Sequence, residues 1–129
     1  MFKFFRKKSE LVIPEFPSLQ SSEIKDKYFR RSAKWYSLDE GMIAVKEPYR
    51  PRFLTMEPWP QKVFLDADGK KTVEEYVYHT AAGYNVRQGV PPELADLILE
   101  IINDFAENYK IIELVDTVSE LPDSFLKSQ

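Results

Sequence analysis

Cysteine is absent from the 129 residues. Disulfides, iron–sulfur ligation and thiol chemistry are therefore excluded, and a reducing compartment, the cytoplasm, is the expected location. A single histidine, His79, is too few for the Cys/His ligand sets of structural zinc. The glycines at 41, 69, 83 and 89 are too scattered for a Walker or Rossmann phosphate loop. No Ser or Cys sits in a nucleophile elbow or triad pattern. Basic charge is scarce as well: the net charge is −3 and the pI about 5.3. Dedicated nucleic-acid binders usually carry a basic balance or stripe, so this balance opposes one.

No apolar run approaches the roughly 20 residues that span a bilayer. At the N-terminus Phe2, Phe4 and Phe5 interleave with Lys3, Arg6, Lys7 and Lys8. No apolar stretch follows, so this is not a secretory signal. Weak contact of residues 2–8 with an anionic membrane surface is the most it allows.

What is present is the composition of one globular domain: 43% hydrophobic, 30% charged and 14% aromatic residues. Residues 1–30 read as a lead-in, an extended arm or a short added helix, because Pro14 and Pro17 interrupt them and neither period holds. Residues 34–38 and 42–46 read as a hairpin around Asp39-Glu40-Gly41, a loop that suits a type I turn with a glycine bulge. A short strand, Arg52-Phe53-Leu54-Thr55, follows Pro48 and Pro51. With Pro58 just beyond, it belongs at a sheet edge. A short helix from about Trp59 is expected to end at an Asp68-Gly69 turn.

Thr72 and Glu75 have capping-box spacing, and Val73, Tyr76, Val77, Thr80, Ala81 and Tyr84 mark the face of the helix that follows. A second helix opens at Pro91-Pro92. Its stripe of Leu94, Leu97, Ile98, Ile101, Ile102, Phe105 and Tyr109 is the strongest periodic signal in the chain. Ile111–Val115 is β-like, suited to a strand or to one more helical turn. Residues 119–129 read as a tail with one anchor, Phe125.

Candidate chemistry is thin. Asp66, Asp68 and Gly69 with Glu75 imitate a calcium loop, but the first ligand position falls on Phe64, which cannot coordinate. Glu75 is better used in the capping box. His79 lies mid-helix with no partner that would make it a general base. A protein that binds and does not catalyse, needing no cofactor, is the expectation.

The run Leu65-Asp66-Ala67-Asp68-Gly69-Lys70-Lys71-Thr72-Val73-Glu74-Glu75-Tyr76 resembles the DG-x-x-T-V-x-E signature of the PqqD-like family. The hairpin and short strand before it, and the helix, loop and final helix after it, follow the same order. The resemblance covers roughly residues 33–110. Glu57-Pro58-Trp59-Pro60 and the loop 85–91 depart from the family pattern. It implies an α+β, winged-helix-like domain over residues 31–118, with a three-stranded antiparallel sheet followed by a three-helix bundle. It further implies a non-catalytic chaperone. Such domains bind the leader of a precursor peptide as an added strand and present it to a modifying enzyme, often a radical S-adenosylmethionine enzyme.

The residues themselves fit that mode, since an edge strand offers unpaired backbone groups to a guest. Phe53, Leu54 and Thr55 are the candidate edge and Leu97 and Ile101 the groove wall. Arg50 and Arg52 are the candidate partners of acidic side chains. Leu54→Pro is expected to remove an edge donor. Two alternatives remain open: an assembly module using Trp35, Tyr36, Tyr49 and Trp59 at an interface, and a winged-helix nucleic-acid binder. The acidic polar face of the final helix opposes the second.

Overall fold

A computed structural model describes residues 10–129. The segment 2–8, and the membrane contact considered for it, lie outside the described residues. Among the described residues the chain is a mixed α+β fold with five helices and two small antiparallel sheets of three strands each. Among the described residues no helix is long and apolar enough to cross a membrane.

The first sheet is the one expected. Strands β2 (Trp35–Ser37) and β3 (Ile43–Lys46) form the hairpin, and β4 (Phe53–Thr55) adds on the far side of β3. The turn Asp39–Gly41 carries two left-handed residues, Glu40 and Gly41. Gln61 completes the sheet where β4 ends. Its Oε1 accepts from the Ile43 amide at 3.1 Å, and its Nε2 donates to the Gly41 carbonyl at 2.8 Å.

The second sheet was not expected. Strand β1 (Tyr28–Arg31) is its centre, flanked by β5 (Asp68–Thr72) and β6 (Ile112–Val115). The lead-in thus contributes more than an arm or a short helix. It includes helix α1 (Pro17–Gln20), buries Phe16 and Leu19 in the core, and supplies a central strand that crosses the boundary drawn at residue 30. Asp68-Gly69 is likewise a strand start instead of a turn. The β1–β5 register slips between Tyr28 and Arg30, which is the signature of a bulge. Gly69 has φ +80°, and a Cβ there would lie 2.9 Å from the Ser119 carbonyl oxygen, so only glycine fits.

The helices pack where the periodicity puts them. Helix α2 (Pro58–Asp66) starts on proline and buries Val63 and Phe64. Helix α3 (Val73–Ala82) opens on the Thr72–Glu75 capping box and buries Val73, Tyr76, Val77 and Ala81. Such a cap is worth about 1 kcal/mol. Helix α4 (Leu94–Asp104) buries Leu94, Ala95, Ile98, Leu99, Ile101 and Ile102. It then widens into a π turn, Phe105–Tyr109, stopped by Lys110 in the left-handed region. The segment after it is strand β6 and not a further helical turn. Residues of both sheets and of α1–α4 join one hydrophobic cluster.

The tail is tied down by more than Phe125. Helix α5 (Asp123–Leu126) is held by Arg31, which is only 5% exposed. Its guanidinium donates to the Phe125 carbonyl at 2.9 Å and to the Leu65 carbonyl, and lies 5.9 Å from the Trp35 ring. Trp35 Nε1 donates to the same Phe125 carbonyl at 2.9 Å.

Candidate functional site

Backbone hydrogen bonds decide which sheet edges are open. Antiparallel pairs alternate between bonded and non-bonded residues. In the β2–β3 ladder the Lys46 amide donates to the Lys34 carbonyl and the Leu38 amide to the Met42 carbonyl. Tyr36 therefore bonds inward, and the groups of Trp35 and Ser37 point away from the sheet. The chain's own tail takes one group of each. The Gln129 amide donates to the Trp35 carbonyl at 2.9 Å, and the Ser37 amide donates to Ser128 Oγ at 2.7 Å.

The opposite edge is different. The Glu47 amide donates to the Arg52 carbonyl at 3.1 Å, and Val45 stands opposite Leu54. By the same alternation Leu54 bonds inward to Val45, while the amides and carbonyls of Phe53 and Thr55 point outward. Among the described residues none of these outward groups has a backbone partner. Leu54→Pro would therefore break the sheet itself. The edge donors belong to Phe53 and Thr55, a distinction that needs the register and is invisible in the sequence.

Beside this edge lies a groove. Leu54, Thr55, Met56 and Glu57 face Pro60, Asp104, Phe105 and Tyr109 across an opening of about 220 Å³. It continues over Pro60, Asp104 and Phe105 into a wider depression of about 650 Å³ that includes Leu97 and Ile101. The structure thus brings Leu54, Thr55, Leu97 and Ile101 to one groove. Leu97 is 36% exposed and Ile101 only 8%, so the first is groove wall and the second is mostly core. Sequence reasoning missed Phe105 and Tyr109 as groove residues because their helical spacing reads as core. Both lie in the π turn and line the groove beside β4. It also missed the rim, formed by Glu57, Glu100, Asp104 and Glu107.

The remaining candidates stand apart from the groove lining. Arg52 is engaged by Glu47, whose carboxylate is buried at 1% exposure and accepts from both Arg52 Nε and Nη2. That hydrogen bond, the largest influence, raises the Arg52 pKa above its ordinary value. The guanidinium is therefore committed within the fold. Arg50 is exposed, on the turn before β4, and its carbonyl accepts from Lys46 Nζ at 3.1 Å. Phe53 is 55% exposed and stacks edge-to-face on Tyr36 at 5.6 Å, on the other face of the sheet from Leu54.

Other polar groups have structural employment. Asp66 accepts from the Tyr76 hydroxyl at 2.7 Å and from Lys62 at 2.8 Å. Asp68 accepts from the Lys70 amide at 2.9 Å, and Glu75 from the Thr72 amide at 2.9 Å. His79 is exposed, in a shallow depression with Trp59, Lys62 and Tyr84.

Comparison with protein-family models, with curated proteins and with solved structures finds no match for this chain.

Proposed function

We propose that this chain is a non-catalytic peptide-binding domain that takes an extended segment as a fourth strand on β4. One observation carries the reading. The fold spends its own tail on two of the four outward groups of β2, the Trp35 carbonyl and the Ser37 amide, and leaves those of Phe53 and Thr55 open beside a groove with an apolar floor. Main-chain hydrogen bonds to an edge give affinity in such binding, and the alternate side-chain pockets give selectivity. The resemblance to PqqD-like domains adds the winged-helix-like description and the natural occupant: the leader of a precursor peptide, presented to a modifying enzyme. The nucleic-acid alternative is opposed by the carboxylates along α4, which would repel phosphates.

The test is Thr55→Pro, assayed with a display library of random 12-residue peptides. The substitution removes one outward donor and leaves the bonds from β4 to β3 intact, which is the position where an edge tolerates proline. A net hydrogen-bond contribution of about 1 kcal/mol, with the added bulk of the ring, gives a loss of about tenfold or more in capture. The variant should keep the far-UV spectrum and melting profile of the parent, and Thr55→Ala should bind as the parent does. Equal capture by a folded Thr55→Pro chain would remove the strand-addition reading.

A further inference from the structure

We infer that the segment received on β4 is cationic, an extended peptide in which apolar residues are mixed with Lys or Arg. The inference rests on the strand-addition reading and adds the chemistry of the guest. The groove between β4 and α4 is lined by four carboxylates, Glu57, Glu100, Asp104 and Glu107, and by no Lys or Arg. None of the four takes part in an ion pair among the described residues. Of the cations near this rim in the chain, Arg52 pairs with Glu47 and Lys62 with Asp66, while Lys110 lies on the far side of Glu107, in a separate depression beside Pro48 and Tyr49.

The floor between the carboxylates is apolar, with Leu54, Pro60, Leu97 and Phe105 in view. A guest strand on β4 places every second side chain over that floor. Lys and Arg fit such a setting, since their methylene stems cover apolar surface while the charged heads reach the rim. An acidic guest would meet four like charges with no counter-charge from the groove. Charge of this kind governs partner choice and encounter rate more than ultimate affinity, and salt screens it. The occupant first expected, an acidic segment paired with Arg50 and Arg52, is thus replaced by one of opposite charge.

The test uses the full-length chain and the same display library, and reads the sequences recovered. The recovered peptides should carry a net charge at least about two units more positive than the input pool. Capture should fall about tenfold as ionic strength rises from roughly 0.05 to 0.5 M, given the shortened Debye length. Glu100→Lys combined with Glu107→Lys, both exposed positions, should abolish the basic bias while peptide capture persists. Recovery of neutral or acidic peptides that Thr55→Pro abolishes would overturn the charge inference and leave strand addition standing. No recovery above background would overturn both. A dimer detected by light scattering and lost in Thr55→Pro, with no peptide recovered, would overturn the inference in favour of a second copy as the occupant.

Discussion

Arg31→Met isolates the clamp that ties the tail across the β2 edge. Arg31 donates hydrogen bonds to the carbonyls of Phe125 and Leu65, and makes two longer contacts at 3.4 and 3.5 Å to those of Phe64 and Leu126. A hydrogen bond from a charged donor contributes about 1.5–3 kcal/mol, so the bonds to Phe125 and Leu65 contribute about 3–6 together. Part of that is offset by the cost of burying the guanidinium. Desolvation, the largest influence, lowers the Arg31 pKa. A net loss of about 2–4 kcal/mol follows. An unfolding entropy of about 2.1 cal/mol/K per residue gives about 0.27 kcal/mol/K for a chain of this length, hence a fall in Tm of about 7–15 °C. Thermal melts followed by circular dichroism measure the stability. Amide exchange at Ser37 and Gln129, both engaged where the tail meets β2, measures the docking of the tail. The substitution should speed exchange at both sites. A Tm shift under about 2 °C, or unchanged protection at both amides, would refute the clamp.

Other consequences are equally specific. Tyr76 is pushed above the ordinary tyrosine pKa near 10 by burial first and by its hydrogen bond to Asp66 second. The folded state then keeps a proton that the unfolded chain releases, so this group leaves stability flat below about pH 10 and lowers it above, at up to about 1.4 kcal/mol per pH unit. Denaturant titrations of Tyr76→Phe should show that alkaline decline reduced, with a loss of about 1–2 kcal/mol at neutral pH from the missing hydrogen bond. Phe16 is 1% exposed and packs 5.7 Å from Tyr78. Phe16→Ala should cost about 3–5 kcal/mol in urea unfolding, as a core aromatic does. A cost under about 1 kcal/mol would instead mark residues 10–20 as an appendage.

The elements with strong local signals were legible in the sequence. Helix α3 follows from the Thr72–Glu75 box, α4 from its seven-member stripe, and the β2–β3 hairpin from its Gly41 turn. The second sheet was not legible because its central strand hides its period. Tyr28–Arg31 alternates between half-buried and buried positions, but the inward residues are Phe29 and Arg31. A buried arginine looks polar to any hydrophobicity pattern, and only the carbonyls brought from residues 64–65 and 125–126 make it a core residue. Asp68-Gly69 misled in the same way, since a bulge glycine and a turn glycine use the same backbone freedom. At the site, the placement of Phe53–Thr55 on an edge was readable from the flanking prolines. The division of that edge into inward Leu54 and outward Phe53 and Thr55 was not, because register depends on Glu47 and Arg52 pairing across the turn. The reduction of Arg52 to a partner of Glu47 was hidden for the same reason.

The most direct measurement is residue-resolved amide exchange by NMR, with and without a peptide recovered from the display library. Strand addition on β4 requires the amides of Phe53 and Thr55 to exchange freely in the unbound chain and to slow at least about tenfold in the complex. The Leu54 amide, already bonded to β3, should change little. A complex that forms while the Phe53 and Thr55 amides stay unprotected would contradict the account and place the binding surface elsewhere.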